Sequence, residues 1–257
     1  MRTDRTWPAS IATTLALCVY GSAIPARAAE ESKAPKGWEF DIVPYIWGSG
    51  LAGDVKLGRL PTQGIEASFG DILDHLELAG MAAFGARKGN WGVLVDAIYI
   101  DLGDTVSASD PTFGEADVSM NEQLYSALLT YRIHGGEKTT VDLAWGGRYY
   151  RIDADFALVS GVAVGRAASA DVDWWDWLAG ARFVGHPSKR WSLTAYADIG
   201  GGGSQLTWEA IAAADFAFNK TVSLAFGYRY LEIDYDEDAF LYDVSMQGPF
   251  LGVGFHF

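Results

Sequence analysis

The amino-acid sequence predicts an all-β chain, a single antiparallel transmembrane β-barrel of about ten strands with a short helix in its first long loop. Three observations carry that prediction. Apolar and polar residues alternate with a period of two, as in "GPFLGVGFHF" (248–257), where Leu251, Val253, Phe255 and Phe257 share one parity and Gly252, Gly254 and His256 the other. The connections alternate between tight basic turns and longer acidic loops, the pattern of short periplasmic turns and long outer loops. Aromatic residues, 14% of the chain, gather at the ends of the alternating segments, where half-apolar rings meet a bilayer interface.

In chain order, the first element is a leader. Arg2 and Arg5 precede the apolar run 11–24, and Ala26-Arg27-Ala28 is a small-x-small cleavage site, so residues 1–28 read as a secretory signal peptide and 29–257 as the barrel domain. The run is too short to span a bilayer, which takes about 20 apolar residues. Cys18, the only cysteine, falls in this leader, so a disulfide scaffold and a thiol nucleophile are both excluded. The formal charge of −14 argues against a nucleic-acid partner.

Ten segments then reach the roughly 9–11 tilted residues a membrane strand requires: 38–53, 76–87, 91–103, 117–133, 139–154, 172–185, 191–201, 205–217, 221–236 and 240–257. Tight turns fall at "RKGN" (87–90), "HGGEK" (134–138), "HPSKR" (186–190) and "FNKT" (218–221); longer loops fall at 54–75, 104–116 and 155–171 and around 236–239. Trp38, Phe84, Trp91, Phe183, Trp191 and Phe255 lie beside the turns; Trp47, Tyr99, Tyr149, Trp175, Trp208 and Tyr230 lie toward the other ends. Two aromatic girdles are therefore expected.

Parity assigns the second face to the lumen. In "TVDLAWGGRYY" (140–150), Val141, Leu143, Trp145 and Tyr149 face lipid, which turns Asp142, Gly146 and Arg148 inward. The same rule turns Asp96, Glu122, Arg182, Asp198 and Arg229 inward, because an Arg facing lipid at the midplane costs about 2–4 kcal/mol. These charges either line a narrow selective channel or close it as a salt-bridged interior. Ten strands enclose little space, which favours a mostly occluded lumen.

The stretch "ASFGDILDHL" (67–76) breaks the alternation. Ser68 with Asp71 three residues on resembles a capping box, and Phe69, Ile72, Leu73 and Leu76 recur at helical spacing, so a short helix either covers the rim or plugs the mouth. The acidic stretches "DVDWWD" (171–176) and "DYDEDAF" (234–240) lack the glycine turn and spaced ligands of a calcium loop, so neither a metal nor a cofactor is expected. They are suited to contact lipopolysaccharide through bridging cations. Four histidines exist, His75, His134, His186 and His256, and none lies near a Ser in the outer half of a strand. A hydrolase is disfavoured on that ground, no catalytic residue is assigned and the chain is not expected to be an enzyme.

The blocks "PYIWGSGLAGDV" (44–55), "SFGDILDHL" (68–76), "ARKGNWGVLVDAIYIDLGD" (86–104), "GGRYYRID" (146–153), "LTAYADIGGGG" (193–203), "LAFGYRYLEIDYD" (224–236) and "YDVSMQGPFLGVGFHF" (242–257) together resemble a family of largely uncharacterised Gram-negative outer-membrane β-barrels, small and porin-like. The resemblance implies a place in the bacterial outer membrane, lipid and lipopolysaccharide as partners, and barrel-assembly machinery that reads Phe255 and Phe257 as a terminal signal. The expected role is structural, or a narrow passive channel for small solutes. The alternatives are an adhesin or lipopolysaccharide-interacting barrel working through its acidic loops and, behind these, a barrel hydrolase.

Overall fold

A computed structural model describes residues 37–58, 61–107, 113–160, 167–237 and 240–257, so the leader expected at 1–28 lies outside the described residues. The strands are β1 (Glu39–Trp47), β2 (Gly50–Leu57), β3 (Gln63–Ala67), β4 (Leu76–Lys88), β5 (Trp91–Ser107), β6 (Phe113–Gly135), β7 (Thr139–Ser160), β8 (Ala167–Gly185), β9 (Trp191–Gly202), β10 (Leu206–Ala217), β11 (Val222–Glu237) and β12 (Phe240–His256). Ten of them, β1 and β4 to β12, form a closed antiparallel barrel in which each strand pairs with the next and β12 returns to β1. Closure removes the free edges that a membrane interior does not tolerate. No helix among the described residues is long and apolar enough to cross a membrane.

Two corrections to the sequence reading concern the loops. The segment 54–75 is not simply a loop: β2 continues the line of β1 along the upper half of β12, and β3 folds back on β2 as a hairpin. The described parts of 104–116 and 155–171 are strand, because β6, β7 and β8 run to 23, 22 and 19 residues. Those lengths exceed the roughly 9–11 residues a bilayer needs. The wall formed by β6 to β8 therefore stands well above the rest of the barrel.

The line from β1 to β2 breaks at Gly48–Ser49. Up to Pro44, which pairs with Ala82, β1 is held by β4; beyond it that ladder stops, and the Trp47 amide donates to Met81 Sδ at 3.3 Å. Helix α1 (Phe69–Asp74) lies beside this break. Ser68 caps it: its hydroxyl accepts from the Asp71 amide, and the Asp71 carboxylate accepts from the Ser68 amide at 2.8 Å. Donation to the carboxylate from the Ser68 hydroxyl, at 2.7 Å, and then from the Ser68 amide holds the Asp71 carboxyl below its usual range. The Phe69 ring lies over Gly48, where a Cβ would stand 3.5 Å from Cδ1. Phe69 and Leu73 are exposed, and Ile72 and Leu76 are half-buried. Helix α1 packs against β2 and β3 on the wall.

Side chains alternate as the parity rule requires. Leu129, Leu143, Trp145, Phe183, Leu193, Phe226 and Leu251 are exposed on the outer face, and Trp38, Phe84, Trp91, Trp191 and Phe255 ring the turn end. One ring departs from the expected girdles: Trp47 is 3% exposed and lies inside, its face 4.8 Å from the Arg229 guanidinium. It shares parity with the inward Tyr45, and the outward neighbour is Ile46.

Candidate functional site

The interior falls into three layers. Nearest the loop end, Tyr150, Trp174 and Tyr235 stack at centroid distances of 4.8 and 4.0 Å, packed among Ile98, Leu231, Ile233, Val244 and Met246. Two polar contacts lie within the layer, Tyr150 Oη and Thr207 Oγ1 at 2.7 Å and Tyr242 donating to Glu122 Oε1 at 3.0 Å, while the buried Trp174 Nε1 has no hydrogen-bond partner among the described residues.

Below lies an ionic layer. Arg148 donates to Ser126 Oγ at 2.9 Å, to Asp198 Oδ2 at 2.9 Å and to Glu209. Arg229 binds Asp96 Oδ1 and Tyr45 Oη, each at 2.9 Å, and its Nε stands 2.5 Å from Glu209 Oε1. Tyr45 and Tyr196 donate to Asp96 and Asp198 at 2.8 and 2.5 Å. The network draws on β1, β5, β6, β7, β9, β10 and β11, so it crosses the barrel from wall to wall. Both guanidiniums are nearly fully buried, which demands such pairing.

The third layer is a cavity of about 400 Å³ between this network and the turn end, within the usual size of ligand pockets. Val43, Leu94, Val184 and Ile211 give it apolar wall; Arg148, Arg229 and Glu209 form its floor; Lys189, Arg190, His186 and His256 stand toward the turns. Arg182 and Asp215 also line it.

The residues singled out from sequence thus distribute over all three layers. Asp96, Arg148, Asp198 and Arg229 join in one network. Glu122 is buried apart, bound to Tyr242, and Arg182 faces the cavity with no ion pair within 4.0 Å among the described residues. Phe255 and Phe257 are on the outer face, the latter exchanging backbone hydrogen bonds of 2.9 and 3.1 Å with Phe40. Reasoning from sequence missed Glu209, which links the two arginines. Its signal was present, since it shares parity with Thr207 and Ile211 and stands opposite the outward Trp208 and Ala210. Asp142 was read as inward, but not its clamp by Arg87 at 2.7 Å and Arg132 at 2.8 Å.

A second missed group sits at the cavity mouth. Ser223 Oγ is 2.9 Å from His256 Nε2, and His256 Nδ1 is 2.6 Å from Asp41 Oδ1. Positions 33 and 215 apart in sequence meet because β11, β12 and β1 are neighbours in the closed barrel. Asp41 lies directly opposite His256, and Ser223 opposite Gly254, one inward position along β12. Gly254 leaves room for the hydroxyl, since a Cβ there would stand 2.5 Å from Ser223 Oγ.

No protein-family model and no curated protein sequence matches the chain. Among solved structures, the outer-membrane protease OmpT from Escherichia coli is similar with a TM-score of 0.50 and 7% identity, over 89% of this chain and 99% of that one. The translocator domain of the autotransporter NalP from Neisseria meningitidis gives 0.44 and 14% over 86% and 89%. The attachment invasion locus protein Ail of Yersinia pestis gives 0.37 and 13% over 87% and 100%. Identities this low speak to the fold alone. The closed ten-stranded wall, its apolar outer face around a polar interior and the likeness in fold to OmpT give this chain the fold of an outer-membrane β-barrel.

Proposed function

We propose that the protein is a structural, non-conducting barrel whose lumen is a blind cavity open only at the turn end. With short turns on the periplasmic side, the cavity faces the periplasm. The observation that carries this reading is the Arg148–Glu209–Arg229 network lying across the lumen beneath the packed Tyr150, Trp174 and Tyr235 stack. A selective channel needs binding weak enough for ions to leave. Here the charges are spent on one another, and apolar side chains fill the space beyond them.

Conductance tests the reading. Purified, folded protein in a planar bilayer is expected to give no stepwise openings, and discrete openings from wild-type protein would return the narrow-channel reading to first place. The surface role through acidic stretches is less favoured. Asp171 and Asp176 lie on β8 and already have partners, Arg151 at 3.0 Å and the Ser204 amide at 2.8 Å.

A further inference from the structure

We propose that Ser223, His256 and Asp41 form a nucleophilic triad that hydrolyses small carboxylic esters in the turn-end cavity. The hydrogen bonds fix the direction of proton flow. An ionised Asp41 only accepts, so the proton of a neutral His256 sits on Nδ1 and Nε2 accepts from the Ser223 hydroxyl. That is the tautomer a general base requires, with the carboxylate holding the ring in place.

The neighbouring Ser192–His186 pair serves as an internal contrast. Its 3.0 Å contact uses Nδ1, and no carboxylate is bonded to that ring among the described residues. Of these two groups, the Ser223 group has all three members. The His256 and Asp41 side chains are 37% and 53% exposed, so water reaches the base, while Ser223, 2% exposed, borders the cavity from within the wall.

In the proposed reaction the Ser223 hydroxyl adds to the ester carbonyl as its proton passes to His256. The carbon–alkoxy bond then breaks, and His256 returns that proton to the departing alcohol. A water molecule, deprotonated by His256, attacks the acyl-serine and releases the carboxylic acid with Ser223 restored. Ester and water become acid and alcohol, with no other reactant. The strand ladder uses the wall amides, which leaves cations lining the same cavity, Lys189 and Arg190 among them, to supply donors to the oxyanion.

The walls define the substrate class. Val43, Leu94, Val184 and Ile211 accept a short apolar chain, and Arg182, with no ion pair within 4.0 Å among the described residues, suits an anionic group on the same molecule. The ligand is therefore a short ester bearing a carboxylate or phosphate. The inference rests on the blind-cavity reading, but the two fail separately, since conductance tests one and covalent labelling the other.

The test uses the folded barrel in detergent, with folding checked by heat-modifiable gel mobility. A fluorophosphonate probe is expected to label Ser223, located by peptide mass spectrometry. Folded Ser223→Ala should abolish the label, His256→Gln should slow it by about 100-fold or more, and Ser192→Ala should leave it unchanged. Wild-type protein should hydrolyse 4-nitrophenyl hydrogen succinate, and Arg182→Gln should raise KM for it at nearly constant kcat, with no such change for neutral 4-nitrophenyl acetate. Folded wild-type barrel that takes up no probe at Ser223, or a label that survives in His256→Gln at the wild-type rate, overturns the proposal.

Discussion

At the loop end of the lumen the inward positions carry Ile98, Tyr150, Trp174, Leu231 and Val244, each 5% exposed or less. At the turn end they carry Gly85, Ser192, Ser223 and Gly254, and the space they leave is the cavity. The same alternating strands build both halves. Alternation decides which side of the wall a residue occupies, but side-chain volume decides whether the enclosed space is filled. In a barrel this narrow, aromatic rings close one half, while glycine and serine leave the other open. The ionic layer marks the boundary, where the apolar fill ends and buried charges must satisfy one another.

The sharpest way to break that division is Arg148→Ala. It removes a partner from Asp198 and Glu209 at once and strands buried carboxylates, at a cost of about 3–5 kcal/mol. Urea unfolding of the detergent-solubilised barrel, followed by gel mobility, measures it. A loss below about 1 kcal/mol would mean that water already reaches the layer.

Much of this arrangement was legible in the sequence. The existence and order of the ten barrel strands followed from period-two alternation, though not the loop-end limits of β6 to β8, and the inward placement of Asp96, Arg148, Asp198 and Arg229 followed from the cost of a charge in lipid. Less legible was what those charges would meet. Parity orders residues along one strand, whereas Arg148 with Glu209 and Ser223 with His256 join positions whose register is set only when the barrel closes. Trp47 was misplaced by its ring type, which suits an interface as well as it suits an arginine. The hairpin of β2 and β3 was hidden in 54–75 because β2 continues the line of β1 past the break at Gly48–Ser49 and β3 is a mostly exposed strand of only five residues.

A paired substitution compares the halves directly. Leu231→Ala in the packed half should cost about 2–5 kcal/mol, because a fully buried side chain leaves a cavity its neighbours cannot collapse into. Arg182→Ala in the open half should cost less, about 1 kcal/mol, since it breaks no ion pair within 4.0 Å among the described residues and loses only a longer-range attraction to Asp215. The same unfolding assay reads both. Equal costs would erase the distinction between a filled half and an open one.

Thiol accessibility tests the division most directly. In a Cys18→Ser background, Thr194→Cys places a thiol on the cavity wall and Val244→Cys places one in the packed half, where the native side chain is 2% exposed. A water-soluble maleimide is expected to modify the folded Thr194→Cys protein at close to the rate seen after unfolding, and to modify Val244→Cys only once the barrel is unfolded. Comparable rapid modification of both in the folded state would show a continuous wet lumen and contradict the account.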